Sequence, residues 1–336
     1  MTETLTVAVL GSGSFGTALA SVLLSNGHDV TMWCYEEGHA AEMEAAGRNT
    51  RYQSDFALPG IHATPEVVAA VTGKDLVLFV SPSHVTRPLI RAVRDHLSAS
   101  PLLVSATKGI EATGETMDEV FRQELPAALH PRLCYLSGPS FAFEVLGGKP
   151  TAVVLAARDE EVAERAQRAF ATATFRTYRT TDVVGVELGG AVKNVIAIAT
   201  GLSDGLDMGH DARAALITRG LAEMSRLGAA LGADPMTFMG LAGIGDLVLT
   251  CTGDLSRNRT VGKRLASGMS LDEVTASLGG QVAEGVLTCA STRALAKRLG
   301  VEMPIVEAVW RILYDGTAPA GTVAVLMGRP PRSEQG

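Results

Sequence analysis

Residues 6–25, TVAVLGSGSFGTALASVLLS, decide the fold. Thr6–Leu10 is a β-branched and apolar run, Gly11-Ser-Gly13-Ser-Phe-Gly16 follows without a gap, and Thr17–Ser25 has the composition of a packed helix. A GxGxxG run is informative only in that strand–turn–helix setting. There Gly11 permits a tight turn, Gly13 lets the backbone approach a pyrophosphate, and Gly16 lets the helix pack closely on the sheet. The anion then meets free N–H groups at a helix N-terminus. A dinucleotide site is the expectation; a glycine turn without a ligand is the alternative.

The same rhythm continues outward. Asp29–Trp33, Leu76–Val80, Leu102–Ser105, Leu133–Leu136 and Ala152–Leu155 are short apolar runs separated by helix-like stretches. They lack the alternation of a half-exposed sheet, as strands do when helices cover both faces of a parallel sheet. The class is α/β, a Rossmann-type doubly wound parallel sheet. After Tyr178 the strand signals stop, Thr181 and Asp182 offer a helix cap, and helices separated by glycine-rich turns such as Leu241–Asp246 follow. The expected division is a dinucleotide-binding domain over 1–182 and an all-helical, substrate-binding C-terminal domain over 183–330. The tail from Arg329, rich in Pro, Arg, Ser and Glu, is expected to fray.

Composition narrows the function. A chain of 336 residues, 46% hydrophobic, buries a sizeable core. No apolar run is read as a membrane span, because Lys193 and Asn194 interrupt the longest one, Leu188–Leu202. The start, MTETLTVAVL, has neither the basic flank nor the apolar stretch of a secretory signal, which points to the cytoplasm. Cys34, Cys134, Cys251 and Cys289 form no CxxC pair, so neither a metal site nor a disulfide framework is expected. A net charge of -7 argues against nucleic acid as a partner. A phosphorylated substrate must find its cations locally.

Four later segments combine glycine with groups fit for such chemistry. Ala106-Thr-Lys108-Gly109 and Leu136-Ser-Gly138-Pro-Ser140-Phe-Ala142 follow strands, at the carboxyl edge where open α/β sheets bind ligands. Lys108 is also compatible with a solvated loop lysine, and Ser140 with a cap for the helix after Pro139. In the third segment Gly190, Lys193, Asn194, Ala197 and Gly201 share one helix face. A lysine there needs a partner or a lowered pKa, which suits proton transfer at a carbonyl and equally a structural ion pair with Asp246. Ser256-Arg257-Asn258-Arg259, downstream of Gly245-Asp246, is a donor set matched to a phosphate dianion, which one of its arginines should bind. Cofactor choice stays open: Glu36 lies slightly late for an acid on the ribose, and Arg48 and Arg51 are candidates for a 2′-phosphate or plain surface arginines.

GSGSFGTALA, ATKGIE, LSGPSFAFEV, LGGAVKNVIAIATGLSDGL, GLAGIGDLVLTCTGDLSRNRTVG and VAEGV, in that order, resemble the motifs of the bacterial NAD(P)-dependent sn-glycerol-3-phosphate dehydrogenases. The resemblance implies a dehydrogenase that interconverts dihydroxyacetone phosphate and sn-glycerol 3-phosphate with NAD(H) or NADP(H), supplies phospholipid synthesis, and works in a cleft between the two domains. It implies Lys193 as proton donor or acceptor, with Lys108 and Asp246 beside it. It places glycerol phosphate at Lys108, Gly138, Ser140, Lys193, Asp246, Ser256, Arg257 and Asn258. Around the dinucleotide it places Ser14, Phe15, Tyr35, Lys108, Ala142, Arg257, Val282 and Glu284, besides Gly11, Gly13 and Gly16. Tyr35 is the least firmly aligned, and Ser81 and Phe143 depart from the family's usual pattern without removing a catalytic group. A small phosphorylated substrate is the expected partner, without nucleic acid or membrane insertion; a homodimer is the candidate assembly, which the sequence does not fix.

Overall fold

The computed structural model describes residues 3–279, 282–322 and 333. Eight strands, β1 Thr6–Leu10, β2 Asp29–Trp33, β3 His62–Thr64, β4 Leu76–Phe79, β5 Leu102–Ser105, β6 Leu133–Ser137, β7 Thr151–Ala156 and β8 Phe175–Thr180, form one sheet in the order β3-β2-β1-β4-β5-β6-β7-β8. The chain runs from β1 outward to β3, then returns to β4 on the other side of β1. That reversal opens a crevice at the carboxyl ends of β1 and β4, where Gly11 and Val80 lie.

Around the sheet lie α1 Ser14–Ser25, α2 His39–Ala46, α3 Val67–Val71, α4 Ser83–Val93, α5 Met117–Glu124, α6 Ala142–Leu146 and α7 Glu160–Phe170. The strands feed two cores at once: Val7, Val9, Leu78 and Val104 pack on one face, Ala8, Leu10, Phe79 and Leu103 on the other. That double burial is why these strands read as unbroken apolar runs. Two features differ from the sequence expectation. β3 carries no apolar run, being a short edge strand of His, Ala and Thr held by three register pairs to β2. β7 pairs antiparallel with β6, because the only helix between them, α6, has 5 residues and cannot return the chain for a parallel crossover.

Past the sheet come α8 Val183–Gly205, α9 Gly209–Ala230, α10 Pro235–Phe238, α11 Asp246–Thr252, α12 Arg257–Ala266, α13 Leu271–Ala276, α14 Glu284–Leu299 and α15 Pro304–Tyr314. Asp182 caps α8, accepting the Gly185 N–H at 3.0 Å. The glycine-rich stretch read as a turn is a wide helical turn, Leu241–Gly245, kinked at Gly243 and running directly into α11. The tail expected to fray lies outside the described residues except for Ser333.

α8 is the axis of the helical half, with Val192, Val195, Ile196 and Ile198 in a core shared with Met224, Leu247, Val261 and Cys289. By length and composition it is apolar enough to cross a membrane, contrary to the sequence reading, yet 89% of its apolar window is buried inside the protein. Pro235–Thr252 passes the same test with 39% buried. Core helices pass that test because both environments select apolar residues.

Neighbouring backbones press directly on α8. A Cβ on Gly201 would sit 2.1 Å from Arg259 O, one on Gly262 2.2 Å from Ile198 O, and one on Gly189 2.3 Å from Ala242 O. Glycine is therefore required where α12 and the kinked turn cross α8. Replacing Gly262 by Val should force α8 and α12 apart and cost about 1–3 kcal/mol, the usual range for overpacking. Urea unfolding would read this as a lower midpoint at unchanged slope; a wild-type midpoint would mean that the helices do not pack backbone to backbone.

Candidate active site

The crevice at β1 is built for an anion. Gly11 adopts φ +135, and a Cβ on it would meet Val80 O at 2.7 Å. Gly16 lies against the Gly11 carbonyl, 1.9 Å from where its Cβ would stand. Gly13 differs: it is the N-cap of α1, no side chain caps the helix there, and a Cβ would meet nothing within 4 Å. The first-turn N–H groups of Ser14, Phe15 and Gly16 therefore face an open approach at the positive end of a twelve-residue helix. A dinucleotide pyrophosphate fits this cradle.

Beside it lies a cluster of charges. Lys108 leaves the end of β5, and its Nζ donates to Asp246 Oδ2 at 2.9 Å and to Gly138 O at 3.0 Å. The same ammonium stands 5.4 Å from the centre of the Phe15 ring, which ties it to the glycine loop. Lys193, one helical face removed from the sheet, donates to Asp246 Oδ1 and, at 3.0 Å, to Thr250 Oγ1. Asp246 is 1% exposed and Lys193 5%. One buried carboxylate thus serves two ammonium groups, a net charge of about +1. Each ammonium has three N–H donors. Two are occupied on each, which leaves one on Lys108 and one on Lys193 for another oxygen.

Burial sets the proton affinities. It pulls the Lys193 ammonium down to about 8, with Asp246 opposing and Lys108 reinforcing the shift. Burial would raise the Asp246 carboxyl, but Lys108 and Lys193 together hold it below its ordinary value. Their neighbourhood follows from the fold: the Gly189–Ala242 contact seats the kinked turn on α8, so Asp246 starts α11 opposite Lys193. Thr250, one turn along α11, accepts from Lys193 and donates to Asp246 O at 2.6 Å. Asp246 was already a candidate partner for Lys193 in the sequence; Thr250, at i+4 from it in DLVLT, was missed.

The donor-rich segment separates into different jobs. Ser256 caps α12, accepting the Arg259 N–H at 3.3 Å. Arg259 is held at 2.7 Å by both Asp204 and Asp254. The Asn258 carboxamide bridges Asn194 Oδ1 at 2.9 Å and the Gly285 N–H at 3.0 Å. Arg257 remains: it opens α12, is exposed, and has no hydrogen-bond or ion-pair partner among the described residues. Surrounding protein nevertheless desolvates it and lowers its pKa, with Glu284 opposing. Glu284, at the start of α14, accepts from Ser83 Oγ at 2.9 Å and the Ser83 N–H at 3.3 Å; burial raises its pKa against those bonds and the charges of His84 and Arg257.

The remaining candidates take varied places. Gly138 adopts φ +126 and its carbonyl also accepts from Ser140 Oγ at 3.0 Å. Ser140 caps no helix, contrary to one expectation, because α6 begins two residues later with Phe141 at its N-cap. Ala142 is the first residue of α6, and Val282 is half-buried just before α14. Tyr35 is 83% exposed, edge-on to Trp33. Ser81, an unusual residue for the pattern, is buried and bonded to Thr86 at 3.1 Å. Phe143 is exposed and edge-on to Phe56. The four cysteines are buried and free.

Family models described as the N-terminus and the C-terminus of NAD-dependent glycerol-3-phosphate dehydrogenase match residues 6–163 and 182–324. The chain is 53% identical over 328 residues to a glycerol-3-phosphate dehydrogenase [NAD(P)+] of Anaeromyxobacter dehalogenans, covering 97% of this chain and 98% of that one. It is 52% identical over 332 residues to the protein of the same name in Geobacter metallireducens, covering 98% and 99%. The crystal structure of glycerol-3-phosphate dehydrogenase from Coxiella burnetii superposes with a TM-score of 0.92 at 40% identity, covering 97% of this chain and 99% of that one.

Replacing Asp246 by Asn would leave two ammonium groups against a neutral amide. Lys193 should then titrate below its wild-type pKa, since burial and Lys108 would act unopposed. The pH dependence of its reactivity toward an amine reagent measures this, and an unshifted Lys193 would remove Asp246 as its charge partner.

Proposed function

The chain belongs to the NAD-dependent glycerol-3-phosphate dehydrogenase family, and from that membership we propose how the residues of its cleft divide the work. The reaction is the interconversion of dihydroxyacetone phosphate and sn-glycerol 3-phosphate with NAD(P)H. The bound nicotinamide supplies or accepts the hydride. Lys193 carries the proton: as the carbonyl carbon gains hydride, its oxygen gains negative charge, and the free N–H of Lys193 delivers a proton to it. Lys193 is left as a neutral amine to be recharged from water, and the reverse reaction uses that amine as base. Lys108 holds its own free N–H toward the same oxygen and stabilises the developing charge. Asp246 keeps Lys193 charged against burial and, with Thr250, aims it. The observation that carries this reading is the single carboxylate satisfied by two lysines, each with one donor to spare.

Arg257 reads the phosphate, because Arg259 is already paired and Arg257 is not. Ser256 and Asn258 hold the first turn of α12 on which Arg257 stands, and Gly138 and Ser140 line the opposite wall with Lys108. Gly11, Gly13, Ser14, Phe15 and Gly16 cradle the dinucleotide; Tyr35, Ala142, Val282 and Glu284 border it. The division at residue 182, into a dinucleotide domain and a substrate domain ending near 330, belongs to this proposal. So do a cytoplasmic location, a supply role in phospholipid synthesis and a homodimeric assembly; the burial of α8 in a protein core supports the first of these.

Two measurements test the assignments. Reduction needs Lys193 protonated, so kcat/KM for dihydroxyacetone phosphate should be flat below and fall as pH rises through about 8, while oxidation rises through the same pH. Profiles without that mirror relation would exclude Lys193 as the proton carrier. Arg257→Ala should lower kcat/KM for dihydroxyacetone phosphate by about ten- to a hundredfold, since charge-assisted bonds to an anion contribute about 1.5–3 kcal/mol. Unphosphorylated dihydroxyacetone should lose far less; equal losses would show that Arg257 does not read the phosphate.

A further inference from the structure

A cluster beyond β2 has no part in proton or phosphate handling. Glu36 stands three residues past the end of β2, with its carboxylate against the glycine loop. Its Oε2 lies 3.4 Å from Ser12 Oγ and 3.3 Å from His39 Nδ1, and its Oε1 accepts from the Tyr52 hydroxyl at 2.8 Å. Asn49 locks the frame around it. Its Nδ2 donates at 2.7 Å to both Ser12 O and Thr17 Oγ1, and its Oδ1 accepts the Tyr52 N–H at 2.9 Å. Glu36 is therefore not late for the ribose, as its place in the sequence suggested. The chain beyond the strand folds back so that residues 49–52 hold the carboxylate beside Ser12, between Gly11 and Gly13. About a third of the side chain, 34%, stays open to solvent. Burial raises its pKa, but the bonds from Tyr52, its own backbone and His39 outweigh that and leave it below the ordinary carboxylate range.

The cations that would welcome a 2′-phosphate are not free. Arg51 gives Nε and Nη2 to the two oxygens of Glu42 at 2.9 and 2.7 Å, and Nη2 also to Glu37 O at 2.8 Å. Arg48 is exposed and, among the described residues, donates to Ser54 O at 3.5 Å. Glu36, Glu37 and Glu42 outnumber the one guanidinium among them. Resting on the placement of the dinucleotide at α1, we infer that Glu36 determines cofactor specificity: its carboxylate accepts hydrogen bonds from the hydroxyls of an adenosine ribose and repels a 2′-phosphate, so that this chain binds NADH in preference to NADPH.

Calorimetric titration of the purified full chain with NADH and with NADPH tests the inference through affinity alone. The wild type should bind NADH at least about tenfold more tightly. Glu36→Gln should narrow that ratio at least about fivefold, chiefly by improving NADPH, and Arg51→Ala should leave NADPH affinity within about twofold, because Glu42 already occupies that fork. Equal or tighter NADPH binding by the wild type, or loss of NADPH affinity in Arg51→Ala, would overturn the inference. The wild-type ratio decides even if Glu36→Gln does not fold. Binding of neither nucleotide would overturn the placement at α1 and the inference with it, whereas tight binding of both without preference would overturn the inference alone.

Discussion

Everything in the cleft depends on one buried carboxylate. Asp246 is almost fully enclosed, and a lone charge so placed would be very costly; two ammonium groups and the hydroxyl of Thr250 make it tolerable. The arrangement also works in the other direction. Lys193 sits among the apolar side chains of α8, where an unpaired ammonium would lose its proton. Sharing one anion between two cations leaves the pair of lysines with a surplus positive charge that a dianionic substrate can complement. This is how a chain with net charge -7 keeps a locally positive cluster beside its glycine loop.

Small residues put that carboxylate where it is. Lys193 can meet Asp246 only if the turn before α11 lies on α8, which requires bare backbone at Gly189, while Gly243 lets the turn fold against the backbone of Phe238. Gly201 and Gly262 perform the same task one level down, bringing α12 and Arg257 onto the same helix. The glycines that separate LGGAVKN from an ordinary apolar helix are thus packing elements whose effect is to fix distances between charged groups.

Much of this was legible in the sequence, and the rest was not for physical reasons. The strand–glycine–helix opening and the unbroken apolar runs carried the sheet because they reflect local conformation and burial on two faces. The short polar edge strand at His62 and the reversed β7 carried no such signal. Lys108, Lys193 and the segment from Ser256 to Arg259 stood out as chemistry in unusual company. The resemblance pointed to Arg257, but residue spacing alone did not show that Arg259 is claimed by Asp204, 55 residues away. Nor could the position of Glu36, which depends on Asn49 and Tyr52 folding back onto the loop. Long-range pairing of polar groups is the part of structure that residue spacing does not encode.

One face of the sheet has a core of its own, whereas the core on the other face takes in Val183 and Val186 of α8 and Ala242 of the kinked turn, so the two halves already share apolar packing. The seam is also stitched by polar bonds, most of them partly buried: Lys108 to Asp246, the Asp118 N–H to Glu187, Ser83 to Glu284, and Arg298 to the carbonyls of Thr113 and Gly114. Opening the helical half alone would break these bonds and expose the apolar surface that Val183, Val186 and Ala242 share with the sheet, without the chain entropy of full unfolding. The seam therefore couples the two halves, and one heat-absorption peak in place of two is the expected outcome. The carboxylate that pairs the two lysines is thus also one of the bolts between the two halves.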